Sequence, residues 1–208
     1  MADRVRNALI LSLLPLVSCT SLKGIVPPPS YDTQCTPSDE RWVAWAEDTS
    51  HLANGVPSDP QEAYDAALVE IDRLGLKLVP KAEVGSTKWD GFTTTFPDRI
   101  LLDPKWEERT VESQAAILWH EIVHKKQWDD FGQDAMTFRY AVAEGRWGLE
   151  VEAYRESFRV LRNFGWSEDR LGSEYKSRVE SLWEGYFLQP MPDCMKAKTI
   201  EIWKKDAA

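Results

Sequence analysis

Histidine and cysteine are both scarce, at three residues each in 208, and basic residues are outnumbered by acidic ones, 25 against 34. The resulting charge of −9 argues against nucleic acid or an anionic membrane surface as partner, because either would repel the protein at long range. The main apolar run, Ala8 to Val17, would rise only about 15 Å as a helix, half the depth of a bilayer core, so it is too short to span one. Three cysteines do not build a disulfide miniprotein, and 208 residues suffice for one domain with its own core. What is plentiful is tryptophan, ten residues, against an otherwise ordinary soluble balance of 43% apolar and 28% charged. Such a count implies a heavily aromatic core or an aromatic binding surface.

The N-terminus has the layout of an export signal: Arg4 and Arg6, then the apolar run, then Leu16-Val17-Ser18-Cys19. That ending resembles the lipobox of bacterial lipoproteins, which implies cleavage after residue 18 and a lipid on Cys19. Loss of Arg4, Arg6 and Asp3 leaves a net −10, so the anchor holds by lipid rather than by charge. Residues 19–37, with Pro27-Pro28-Pro29-Ser30, are expected to form an extended tether, and 38–208 the folded domain. Cys35 and Cys194 are then the remaining cysteines, and in an oxidising compartment they are expected to pair. In the chain-entropy model such a loop contributes roughly 5 kcal/mol.

Within the domain, helical spacing predicts a helix from Ser38 through Trp42 and Trp45, closing near Asn54-Gly55, and another from Asp59-Pro60 through Leu74. Short apolar or threonine-rich runs at Leu76 to Val79, Phe92 to Phe96 and Arg99 to Leu102 read as strands. Thr110 to Trp128 is a strong helix. A helical stretch from Asp134 breaks near Gly145 to Gly148 and resumes to Phe164, and a last helix runs from Ser167 towards Leu188. Trp89, Trp106 and Trp147 are expected mainly to pack the core.

The chemistry lies in His120-Glu121-Ile122-Val123-His124. Residues four apart in a helix stand one turn above each other, so both imidazoles can address one ion. Glu121 lies about 100° round from His120, on an exposed quadrant, where a carboxylate can take a proton from water without occupying the metal. Val111, Ala115, Leu118 and Ile122 make a separate apolar stripe, while Ser113, Ile117, His120, His124 and Gln127 share another face. His51 is expected to be structural, near the carbonyl end of the first helix.

HExxH on a helix resembles the zincin metallopeptidases. The metzincin pattern fails, because Gln127 and Asp130 stand where its further Gly and His would fall. The gluzincin pattern, with a later Glu-x-x-Ala, is similar to Glu150-Val151-Glu152-Ala153, although Tyr154 replaces the Asp that many members use to orient a histidine. The resemblance covers roughly residues 76 to 165. It implies Zn2+ held by His120, His124 and Glu150, Glu121 as the base, and hydrolysis of peptide bonds in a protein or peptide substrate. Glu152 and Glu144 are the other carboxylates in range. Glu144 sits beside the expected break, and Glu150 and Glu152 are about 200° apart on a helix, so a geometry that serves one turns the other away. The resemblance also implies a mostly helical α+β, zincin-like fold, with Arg99 to Leu102 as the strand at the cleft. Tyr140, Arg146 and Tyr154 are candidate oxyanion donors. The expected protein is thus a metallopeptidase tethered in a bacterial envelope; the alternative is a zinc-binding lipoprotein module without turnover, against which Glu121 speaks because a structural site needs no base.

Overall fold

The computed structural model describes residues 47, 49–81, 94–141, 143–180, 183, 184 and 191–205, all in the unit Asp32–Ala208. Cys19, Cys35, Trp89, the proposed tether and most of the first expected helix lie outside the described residues. That helix closes earlier than the sequence suggests: Glu47 is helical, but residues 49–58 are turns and irregular chain. This segment runs along a later helix as a strap.

Helix α1, Pro60–Arg73, starts as its sequence dictates, with the Asp59 carboxylate accepting from the backbone N–H groups of Gln61 and Glu62 and proline in the first turn. Ala63, Ala67 and Ile71, each four apart, form its buried stripe. It ends at Gly75, whose φ of 69° suits the left-handed position that closes the last turn, with Leu76 N–H returning to the Ile71 carbonyl.

Strands β1 (Lys77–Pro80), β2 (Thr94–Phe96) and β3 (Arg99–Leu102) form a mixed sheet in the order β1-β3-β2. β1 runs parallel to β3, with Leu78 opposite Ile100; β2 runs antiparallel, with Thr95 opposite Ile100. The strand expected at the cleft, Arg99 to Leu102, is therefore the central one. Its Ile100, Leu101 and Leu102 are buried, as a strand with neighbours on both sides requires. Among the described residues the edge beside the next helix is β2.

Asp103 accepts from the Lys105 N–H and pairs with Arg109, and a short 3-10 turn, Trp106–Glu108, leads into α2, Val111–Ala141. Ala115, Leu118 and Ile122 are fully buried, each contributing up to about 1.5–3 kcal/mol for the larger side chains. The exposed quadrant expected around Glu121 is absent: every residue from Leu118 to Lys125 is buried. Three neighbours cover the helix. α1 holds Trp119, whose indole N–H donates to the Ala63 carbonyl, β2 lies over Glu121, and α3, Ala143–Asn163, takes the histidine face.

No break occurs at Gly145 to Gly148, which lie inside α3. The irregular residue is instead Gly132, at φ 74° and ψ 167° inside α2. Arg146 closes the end of α2 by donating to the Tyr140 carbonyl at 3.1 and 2.6 Å. α3 returns antiparallel to α2, as Gln127 meets Leu149 and Glu152 while Ala116 meets Ser157.

The last expected helix is split into α4, Glu168–Glu174, capped by Ser167, and a π-helical turn, Tyr175–Glu180. A further helix, α5, Asp193–Lys204, was not anticipated. Its Met195, Thr199, Ile202 and Trp203 face inward, and Trp203 joins Tyr154, Phe158 and Tyr175 in an aromatic cluster. Trp106, Trp147, Trp183 and Trp203 are all buried, so the aromatic wealth serves the core at these positions. The protein is thus a mostly helical α+β fold with a small sheet, and no helix among the described residues is long and apolar enough to cross a membrane.

Gly132 has open space where a Cβ would stand, so the strain of any substitution there is purely in the backbone. Gly132→Ala is expected to cost about 1–3 kcal/mol in urea unfolding, with the segment from 133 to Tyr140 displaced.

Candidate metal centre

α2 presents His120 and His124 one turn apart, and antiparallel α3 presents Glu150 opposite them. His120 Nε2 and His124 Nε2 are 3.1 Å apart, and Glu150 Oε2 is 3.5 Å from the first and 3.7 Å from the second. The centre of a triangle with these sides lies about 2.0 Å from each corner, the length of zinc–nitrogen and zinc–oxygen bonds. All three residues are buried. They are the group of His, Cys, Asp and Glu among the described residues whose donor atoms converge closely enough to hold an ion.

The other ring nitrogens show which way the lone pairs point. His124 Nδ1 is 2.8 Å from Gln127 Oε1, an acceptor, so Nδ1 carries the proton and Nε2 is free to donate its lone pair. His120 Nδ1 lies 3.5 Å from Ser157 Oγ, whose own proton goes to the Ala116 carbonyl at 3.1 Å. That hydroxyl can therefore only accept from the ring, which leaves the His120 Nε2 lone pair facing the same centre. Two imidazole lone pairs and a carboxylate converging on one point fit a divalent cation, and two nitrogens with one oxygen at these separations are a donor set that zinc accepts.

The charges around the three donors favour a positive charge at their centre. Burial opposes charge on both partners, yet the His124 imidazole is pushed up to about 9 by the Glu150 carboxylate, with Glu121 and Gln127 adding to it. Glu150 in turn is held well below the usual carboxylate range: burial would raise it, and the charges and hydrogen bonds of His124 and His120 outweigh that.

Glu121 is buried rather than exposed. Thr95 of β2 reaches its Oε2 at 2.7 Å and its carbonyl at 3.1 Å, so the strand edge and the motif glutamate are joined. Among the described residues no hydrogen bond engages Oε1. Of the three candidate oxyanion donors, Arg146 closes α2, whereas the phenols of Tyr140 and Tyr154 are pushed up by burial and then by the Glu150 carboxylate, with Glu121 adding to both. Both phenols stay protonated and within electrostatic reach of the centre. Tyr154 packs its ring edge-on against His120 at 4.7 Å.

Glu152 points away from the centre. Its Oε2 accepts from Gln127 Nε2 at 2.8 Å and its Oε1 faces His51 Nδ1 at 2.7 Å. His51 is thus structural, but it sits in the strap and holds a carboxylate of α3 rather than a helix end. The Glu144 side chain lies outside the described residues. Sequence reading missed the roles of Thr95, Gln127 and Ser157; two carry a usable signal, since Gln127 follows His124 by three and Ser157 follows Glu150 by seven, each on the ligand's own helix face. No family model matches the chain, and no curated protein or solved structure matches it either.

Removing one of the three converging donors should weaken zinc binding more than removing an outer partner. Glu150→Ala is expected to lower zinc affinity beyond the roughly 10–100-fold that loss of a supporting hydrogen bond costs, while Glu152→Ala stays within that range, as measured by competition with a chromophoric chelator.

Proposed function

We propose that the protein is a zinc-dependent peptidase of zincin-like design, exported and held at a bacterial membrane by a lipid on Cys19. The observation that carries the reading is the buried triangle of His120 Nε2, His124 Nε2 and Glu150 Oε2, with the glutamate of the same HExxH motif beside it. Zinc, when bound, supplies a Lewis acid that lowers the pKa of water towards ~7 and polarises a carbonyl. Glu121 accepts the proton of the attacking water through Oε1, while Thr95 holds Oε2 in place. The same proton then passes to the leaving amine, so the peptide bond is exchanged for a carboxylic acid and an amine with no other reactant than water. β2 is the strand along which an extended substrate backbone would pair, since Thr95 ties it to Glu121. Tyr140 and Tyr154 are the phenols available to donate to the developing oxyanion. The substrate is an envelope or external protein or peptide, and a Cys35–Cys194 bond closing the ends of the domain belongs to the same proposal.

Glu121→Gln separates turnover from metal binding. The variant is expected to retain zinc and to lose casein or peptide-library cleavage by at least about 10²–10⁴-fold. A wild-type protein with full zinc occupancy and no cleavage would favour the non-catalytic binding module. For the anchor, Cys19→Ala is expected to move the exported protein from the membrane to the soluble fraction on ultracentrifugation, and a wild type already soluble would remove the lipid from the account.

A further inference from the structure

Gln127 is fully buried, and its amide sits among three groups. Oε1 is 2.8 Å from His124 Nδ1, while Nε2 is 2.8 Å from Glu152 Oε2 and 3.2 Å from the Leu149 carbonyl. A carboxylate and a carbonyl only accept, so one amide orientation satisfies both: NH2 towards Glu152 and Leu149, oxygen towards His124. That oxygen also only accepts, which places the His124 proton on Nδ1 and the lone pair on Nε2. Glu152 is fixed from its other side by His51, which comes from the strap 101 residues earlier and packs edge-on against Phe131 at 5.4 Å. The strap is itself held along α3: Arg155 donates to the Glu47 carbonyl, Glu156 accepts from the Ala53 N–H, and Asn163 donates to the Val56 carbonyl.

We propose that His51, Glu152 and Gln127 form a positioning relay that selects the metal-binding tautomer of His124, so that the strap sets the affinity of a site to which it gives no ligand. The proposal rests on the reading of His120, His124 and Glu150 as a zinc site. Its testable member is Glu152, which together with the Leu149 carbonyl opposes the inverted amide and is the closer of the two acceptors. In Glu152→Gln, the new amide keeps His51 through its oxygen and turns its NH2 on Gln127. Two NH2 groups then face each other, which drives Gln127 towards inversion against the weaker hold of the Leu149 carbonyl, presenting its NH2 to His124 Nδ1 and favouring the proton on Nε2, where zinc cannot bind.

The test measures zinc affinity by chelator competition and the His124 ring N–H by nitrogen-resolved NMR of the metal-free protein at a pH where that ring is neutral. Three histidines make that spectrum assignable by single substitutions. In Glu152→Gln the expected result is a zinc affinity lowered about 10–100-fold and loss of a slowly exchanging Nδ1–H on His124, with circular dichroism unchanged. Unchanged affinity, or a retained Nδ1–H, in the folded variant overturns the relay. If the variant does not fold, the wild type decides: a protected Nδ1–H supports the relay and an unprotected one overturns it. A wild type that takes up no zinc defeats the metallopeptidase reading instead, and the Nδ1–H of the metal-free protein, at a pH where His124 is neutral, still decides the relay.

Discussion

Glu150 places a carboxylate in the buried seam between two helices, and a charge taken out of water costs several kcal/mol unless it is answered where it sits. Much of the architecture supplies that answer. α2 and α3 run antiparallel so that two imidazoles of one face the carboxylate of the other, and the seam around them is polar rather than apolar: Gln127, Glu152, Glu156 and Ser157 are all buried there. Each has a partner. Ser157 donates to Ala116, Gln127 to Glu152, and Glu156 is bound by Arg159 and by the Ala53 N–H, while burial raises its pKa. A network satisfied in this way rigidifies its members, whereas a half-satisfied one would cost more than an apolar seam.

The apolar side of the fold keeps that seam closed. Leu118 and Ile122 of α2 are fully buried, and so are Trp147, Val151 and Phe158 of α3. Trp147 meets Trp183 edge-on at 5.0 Å and donates to Thr199 of α5, and Trp203 of α5 donates to the Val151 carbonyl at 2.8 Å. The C-terminal helix is thereby fixed to the same helix that carries Glu150. On the opposite side the short sheet contributes little mass, but Thr95 gives it a direct hold on Glu121. A threonine on an edge strand is thus joined to the glutamate proposed as the base, which links the strand proposed to bind substrate to the residue proposed to act on it.

How far the sequence reached is clearest residue by residue. The four-residue spacing of His120 and His124 and the 200° between Glu150 and Glu152 are properties of one helix, and local geometry was enough to say which side chains could meet. Asp59 and Pro60 marked the start of α1 for the same reason, because caps act within a turn. The break expected at Gly145 to Gly148 failed because glycine permits irregular backbone without demanding it; α3 continues through both, and Gly132 takes the irregular conformation. α5 was passed over although its apolar residues keep helical spacing.

The sequence by itself determined the two histidines and their spacing, since residue identity and helical pitch fix what one turn of α2 can offer, while the tertiary structure brought Glu150 to them. Only the tertiary structure decided that the quadrant holding Glu121 is buried, that β2 rather than β3 borders it, and that His51 reaches Glu152 across 101 residues. These are contacts between elements far apart in the chain. No periodicity within a single element encodes them, because they depend on which faces pack together once the whole core has formed.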